Sequence, residues 1–165
     1  TRPPGGMSGR CRSTQGDGAI MATFSGGEEV MSGIVVVEEN GQGRYQQAVI
    51  AGQHRLLADE PVSLGGADAG PAPFDFLMAG LGACTSMTLR MYAERKGLSL
   101  TRVSVSLSHD KVTVDGVSRD RILRNITLHG DLTGEQRARL LEIANKCPVH
   151  RALTQSLAIE SRLVD

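Results

Sequence analysis

A chain of 165 residues with 40% hydrophobic content suits one domain around a single sizeable core and leaves no room for a second full one. Its 18 basic residues balance 18 acidic ones, and Phe 3, Tyr 2 and Trp 0 leave few aromatic faces for bases, so a nucleic-acid partner is not expected. No apolar run approaches the roughly 20 residues of a membrane span and the N-terminus lacks the apolar core of a signal peptide, so a cytoplasmic protein without a membrane partner is expected.

The first stretch, TRPPGGMSGRCRSTQGDGAI, is rich in Gly, Pro, Ser and Arg and has no periodicity. It reads as a disordered extension over residues 1–25 ahead of a single domain over residues 26–165, with a natural start conceivable at Met7 or Met21. Cys11 shares that reading, and a mobile thiol lacks the fixed setting of a catalytic one. From Met31 the pattern changes to short β-rich runs, SGIVVVEE, RYQQAVIAG and HRLLADEP, separated by NGQG and by Gly52-Gln53 as in an antiparallel meander. The Gly/Pro loop PVSLGGADAGPAP follows; it has neither G-x-G-x-x-G nor G-K-[ST], so its glycines read as turn formers rather than a phosphate cradle.

Pro73 to Gly97 reads as a long central helix, with Pro73 as first residue, Asp75 in the first turn, Arg90, Arg95 and Lys96 near the end and Gly97 as its stop. Phe74, Leu77, Met78, Leu81, Thr88, Leu89 and Tyr92 are expected on a buried face that includes Cys84. A stripe of Ala79, Gly80, Gly82, Ala83 and Ser86 is nearly bare of side chain and would let another backbone come close. After Gly97, Val103, Val105 and Leu107, and then Ile122, Ile126 and Leu128, alternate with polar residues around an Asp115-Gly116 hairpin tip. Thr133 and Gln136 make a capping box for a second helix carrying Leu140, Ala144 and Cys147 on one stripe. Pro148 opens a short third helix, and SLAIESRLV is expected as a final strand. Strands, helix, hairpin, helix, strand make an α+β fold rather than a parallel α/β one.

The three cysteines fit no metal-finger spacing, and their odd number argues against a secreted disulfide framework. Cys84 and Cys147 lie on the apolar stripes of two helices expected to dock on one sheet, so they can be neighbours and redox-active; the plain alternative is that both are small buried hydrophobes. Burial raises a thiol's pKa, so a reactive Cys84 needs a cation, with Arg44, His54 and Arg55 on the early strands as candidates and solvated turn residues as their ordinary reading. Cys147 heads a Cys-Pro helix start near free backbone N–H groups, and electrostatics alone makes it the better thiolate.

DFLMAGLGACTSMTLRMYAERKG together with ANKCPVHRAL resembles the OsmC/Ohr family, the osmotically induced and organic-hydroperoxide-resistance proteins. HRLLADEP and GGADAGPAPFDFL extend the resemblance over about residues 34–164. The resemblance implies an intertwined homodimer, with antiparallel sheets wrapped around two central helices. It also implies a two-cysteine thiol peroxidase of oxidative-stress defence, without metal or organic cofactor, that reduces hydrophobic organic hydroperoxides. Cys84 matches the peroxidatic cysteine and Cys147 the resolving one, joined by an intrasubunit disulfide that an external dithiol of lipoyl type reduces. Arg44 matches the activating arginine, against the dipole argument that favours Cys147 as thiolate.

The pattern departs at one place. Peroxidase members carry a glutamate in an N-P-E motif ten residues before the first cysteine, where this chain has Phe74. Asp75 is the substitute acid to hand, turned by roughly 100° on the helix. The H-x-L-x-A-D-E-P and C-P-V-H motifs place the chain nearest a less characterised branch and bring His54, Asp59, Glu60 and His150 into view. His150, one helical turn after Cys147, can polarise the thiol or lend it a proton, or simply bond within a turn. Cys84, Cys147 and His150 could supply three zinc ligands, but no fourth suggests itself. The alternative function keeps the dimer and its apolar pocket but binds a small hydrophobic molecule, or scavenges electrophiles, with little peroxidase turnover.

Overall fold

The computed structural model describes residues 33–155 and 157–164. The extension expected over residues 1–25, with Cys11, lies outside the described residues. β1 (Val35–Glu39), β2 (Gln47–Ala51) and β3 (His54–Ala58) form the expected antiparallel meander in the order β1-β2-β3. Val35 faces Ala51 across β1 and β2, and Ala51 faces His54 across β2 and β3, where Gly52 turns the chain at φ 59°. β2 begins at Gln47, so Arg44 belongs to the turn before the strand rather than to the strand itself.

The Gly/Pro loop is folded around one carboxylate. Asp59, at the end of β3, is only 3% exposed and accepts the N–H groups of Glu60, Ala67 and Ala69 at 2.9, 3.0 and 3.2 Å. Burial works to raise its pKa, but the three donors prevail and hold it below the ordinary value. A Cβ on Gly66 would run into the Glu60 carbonyl and one on Gly70 into the Leu57 carbonyl, so both glycines are required by close backbone approach. Asp59 therefore does structural work in this chain, and Pro61 leads into a single 3-10 turn, Val62–Leu64.

α1 (Pro73–Lys96) has the expected bounds and ends on Gly97 in the left-handed region at φ 62°. Its buried stripe is Leu81, Gly82, Thr85, Leu89 and Ala93, turned from the expected one, while Phe74 and Leu77 are exposed. The reason lies opposite: β4 (Ser99–Val114) and β5 (Val117–Asp131) form a long antiparallel ribbon along α1, and Leu107 fills the hollow at Gly82. Leu77, Met87 and Met91 are thereby left on the uncovered side, and Phe74 is exposed at the start of the helix. Arg90 pins the bulge at the start of β4, donating to Leu100 O at 2.5 Å and Thr101 O at 3.0 Å. The ribbon turns at Asp115 and Gly116, both at positive φ as a two-residue hairpin with matching twist requires.

Thr133 and Gln136 close their capping box and start α2 (Gly134–Ala144). α3 (Pro148–Thr154) follows with Cys147 as its cap residue. Leu89, Leu140, Ile143 and Ala144 form the core, with Val103, Ile126 and Leu128 of the ribbon against it. The final strand is not formed: residues 157–164 have no regular structure, pair with no strand among the described residues and expose Leu157, Ile159, Leu163 and Val164. No helix among the described residues is long and apolar enough to cross a membrane.

Candidate active site

The core places the two cysteines together. Cys84 sits at mid-length of α1 and is partly exposed; Cys147, after α2, is 0% exposed. The two thiols are near enough for Cys147 to act on the titration of Cys84. This is the pairing that the two apolar stripes pointed to, reached because α2 and α3 both pack on α1. Burial pushes the Cys84 thiol above its ordinary 9.0, the Val149 backbone N–H works against that, the neighbouring Cys147 thiol adds to it, and the Thr88 hydroxyl opposes. Cys147 Sγ accepts the His150 N–H at 3.3 Å and stands 3.8 Å from Thr85 Oγ1.

Four expected site residues find definite places. His150 turns its backbone to Cys147, and its imidazole pKa is lowered, first by burial and then by the charge of Arg124, so it is the neutral ring that belongs to the site. Asp75 caps its own helix, Oδ2 accepting the Ala72 N–H at 3.0 Å, two and a half turns ahead of Cys84. Phe74, in the glutamate's position, stacks on His109 of β4 with ring centroids 4.0 Å apart, and His109 Nε2 meets Asp120 Oδ1 at 2.9 Å. Arg44 is not brought to the cysteines of its own chain. Its guanidinium stands 5.2 Å over the Tyr45 ring and lines an open cavity of about 500 Å³ with Glu39, Asp59, Glu60 and Pro73. His54 and Arg55 are exposed on β3, and Cys84, Cys147 and His150 do not form a metal-ligand cluster among the described residues.

A cation that sequence reading missed stands behind the pair. Arg124 of β5 donates from Nη1 to Thr85 Oγ1 at 2.9 Å and to Ala144 O at 3.3 Å, and from Nη2 to Asn145 Oδ1 at 2.8 Å. A signal was present: Ile122, Arg124, Ile126 and Leu128 share one phase of the two-residue alternation, so Arg124 is a charge on the inward face of a strand. Thr85, next to Cys84 and fully buried, was likewise passed over.

Three solved structures share this architecture: an OsmC-like protein from Mycoplasma pneumoniae, with 20% identity and a TM-score of 0.63, covering 74% of this chain and 87% of that one; an organic hydroperoxide resistance protein OsmC from Legionella pneumophila, with 21% identity and 0.59, covering 74% and 88%; and an organic hydroperoxide resistance protein from Elizabethkingia anophelis, with 20% identity and 0.57, covering 73% and 86%. At such identities the likeness is one of fold. No curated protein matches the chain. The family model described as OsmC-like protein matches residues 65–162, a span that takes in α1, the ribbon and both cysteines of the pair, and the chain belongs to that family.

Proposed function

We propose that the protein is a thiol-dependent peroxidase that reduces hydrophobic organic hydroperoxides in oxidative-stress defence. The observation that carries this reading is a partly exposed Cys84 with a fully buried Cys147 as its neighbour. The Cys84 thiolate attacks the distal peroxide oxygen, the O–O bond breaks, an alcohol leaves after taking up a proton, and Cys84 is left as a sulfenic acid. Cys147 sulfur then attacks Cys84 sulfur, the S–O bond breaks, and the oxygen departs as water with the Cys147 proton. A dithiol of lipoyl type would reopen the bond at the accessible Cys84 sulfur and release Cys147 as its thiol. The names of the Legionella and Elizabethkingia neighbours support the substrate class.

Among the described residues the net effect is to raise the pKa of Cys84, so the reading assigns its activation to Arg44 of a second copy. The exposed Ala79, Gly80 and Ala83 on the open side of α1 support a close approach of two α1 helices in such a homodimer. A Phe74 stacked on His109 and an Asp75 spent on capping favour the second reading, a dimer that binds a small hydrophobic molecule or scavenges electrophiles with little turnover. Intact mass and free-thiol count before and after stoichiometric cumene hydroperoxide, followed by peptide mapping, decide between them. Rapid loss of two thiols with a Cys84–Cys147 disulfide is expected; survival of both thiols for minutes would sink the peroxidase reading.

A further inference from the structure

Arg124 is half-buried, and the three acceptors its guanidinium meets, Thr85 Oγ1, Ala144 O and Asn145 Oδ1, are all neutral. Among the described residues it makes no ion pair, the three that occur being His109–Asp120, Arg121–Asp110 and Arg139–Glu142. A partly desolvated cation without a counter-ion is costly unless an anion appears beside it at some stage. The nearest group that can become one through the Arg124 network is Cys147, whose sulfur stands 3.8 Å from the Thr85 hydroxyl that Arg124 holds.

We propose that Arg124 is a positioning residue for the resolving cysteine: through Thr85 and the end of α2 it holds Cys147 against Cys84 and supports negative charge on the Cys147 sulfur as the disulfide closes. The inference rests on the two-cysteine reading above. Thr85 Oγ1 donates its one proton to Leu81 O at 2.8 Å while accepting from Arg124. As Cys147 loses its proton, that hydroxyl turns from Leu81 O to the sulfur, polarised by the guanidinium behind it, and joins the His150 N–H already there. The same guanidinium fastens Ala144 O and Asn145, the residues that carry the chain from α2 to Cys147, so one side chain sets both the position of the sulfur and the field around it. Three acceptors in different directions suit a planar fork and not an ammonium. The titratable or charged groups facing Cys147 are Cys84 from α1, Arg124 from β5 and His150 from α3; the end of α2 offers a carbonyl and an amide, and Lys146 is exposed. His150 is kept neutral, so Arg124 is the group left to balance a thiolate.

Closure can be read without any hydroperoxide. Diamide adds to the Cys84 thiol across its N=N bond; Cys147 sulfur then attacks Cys84 sulfur, the S–N bond breaks and a hydrazine leaves with the Cys147 proton. The rate of this closure is measured across the thiol titration range in full-length wild type, Thr85→Val, Arg124→Gln and Arg124→Lys, with hydroperoxide oxidation measured in parallel. Thr85→Val keeps the side-chain shape and leaves Arg124 its contacts with α2. Expected is closure slowed by about tenfold or more in Thr85→Val and Arg124→Gln, with part of the loss recovered in Arg124→Lys. An unchanged rate in Thr85→Val would overturn the proposal, even if Arg124→Gln were slow, because Arg124 would then only fasten the end of α2. Wild type that closes with diamide in this Arg124- and Thr85-dependent way yet ignores hydroperoxide would remove the peroxidase reading and leave this inference standing.

Discussion

The cysteine pocket and the Arg44 loop are built in opposite ways. Around Cys84 and Cys147, α1, β5, α2 and α3 converge, Leu89 and Leu140 are fully buried beneath, and Thr85, Arg124 and Cys147 are hydrogen-bonded within the chain. Around Arg44 the cavity is open, its cation rests on the exposed Tyr45 ring, and β1 beside it shows all five residues to solvent. The disulfide-forming half of the proposed chemistry is thus complete in one chain, whereas the half that would activate Cys84 is not. A rigid, self-contained pair can fix a reaction's geometry, and an open loop can respond to what docks on it.

The largest test of that contrast is chemical. Cys84→Ser should bring hydroperoxide turnover to background, and Cys147→Ser should permit one oxidation and then stall at a sulfenic or over-oxidised Cys84, both read by mass after peroxide addition. Full turnover in Cys84→Ser would end the two-cysteine mechanism. Next comes stability. Leu89→Ala, at 0% exposure, should cost about 3 kcal/mol in denaturant unfolding. Val37→Ala, at 56%, should cost less than about 0.5 kcal/mol for an isolated chain. A larger loss at Val37 that grows with protein concentration would show β1 covered by a second copy.

What sequence made legible follows the same division. The bounds of α1, the Asp115-Gly116 tip, the Thr133–Gln136 box and the meeting of Cys84 with Cys147 were readable, because each depends on local chemistry or on an apolar period. The rotation of α1 was not: whether Leu77 or Thr85 faces inward is decided by the ribbon, 14 residues or more away in sequence, and by Leu107 against Gly82. Arg124 was hidden by habit, since a charge in an alternating strand is ordinarily assigned to solvent, yet its phase with Ile122 and Ile126 put it inside. The tail after Ser156 has a strand's composition but pairs with no strand among the described residues, and pairing is a matter of tertiary placement that composition cannot reveal.

A smaller effect sharpens the role of Arg44. Within one chain, burial holds the Cys84 thiol above 9.0, so the pH midpoint of its alkylation measures any cation brought from outside. If a second copy delivers Arg44, the wild-type midpoint should fall below 9.0 and Arg44→Ala should restore it, slowing oxidation near neutrality by about tenfold per unit. An identical midpoint and rate in Arg44→Ala would remove Arg44 from the site and turn attention to Arg55 or His54.

The smallest effect belongs to His150, and its sign is fixed by the direction of its shift. Burial first, and Arg124 second, lower the folded-state pKa below the ordinary 6.5, so on acidification the unfolded chain takes up a proton that the folded one refuses. Stability should therefore decline as pH falls through about 6.5, and the decline should be complete below the folded-state value. His150→Gln should flatten that part of the stability curve while leaving the plateau above it nearly level with wild type, measured by urea unfolding at a series of pH values. Arg124→Gln should weaken the same decline by removing the second cause. A decline unaltered by both substitutions would mean that another group, and not the imidazole beside the cysteine pair, carries the acid sensitivity of this pocket.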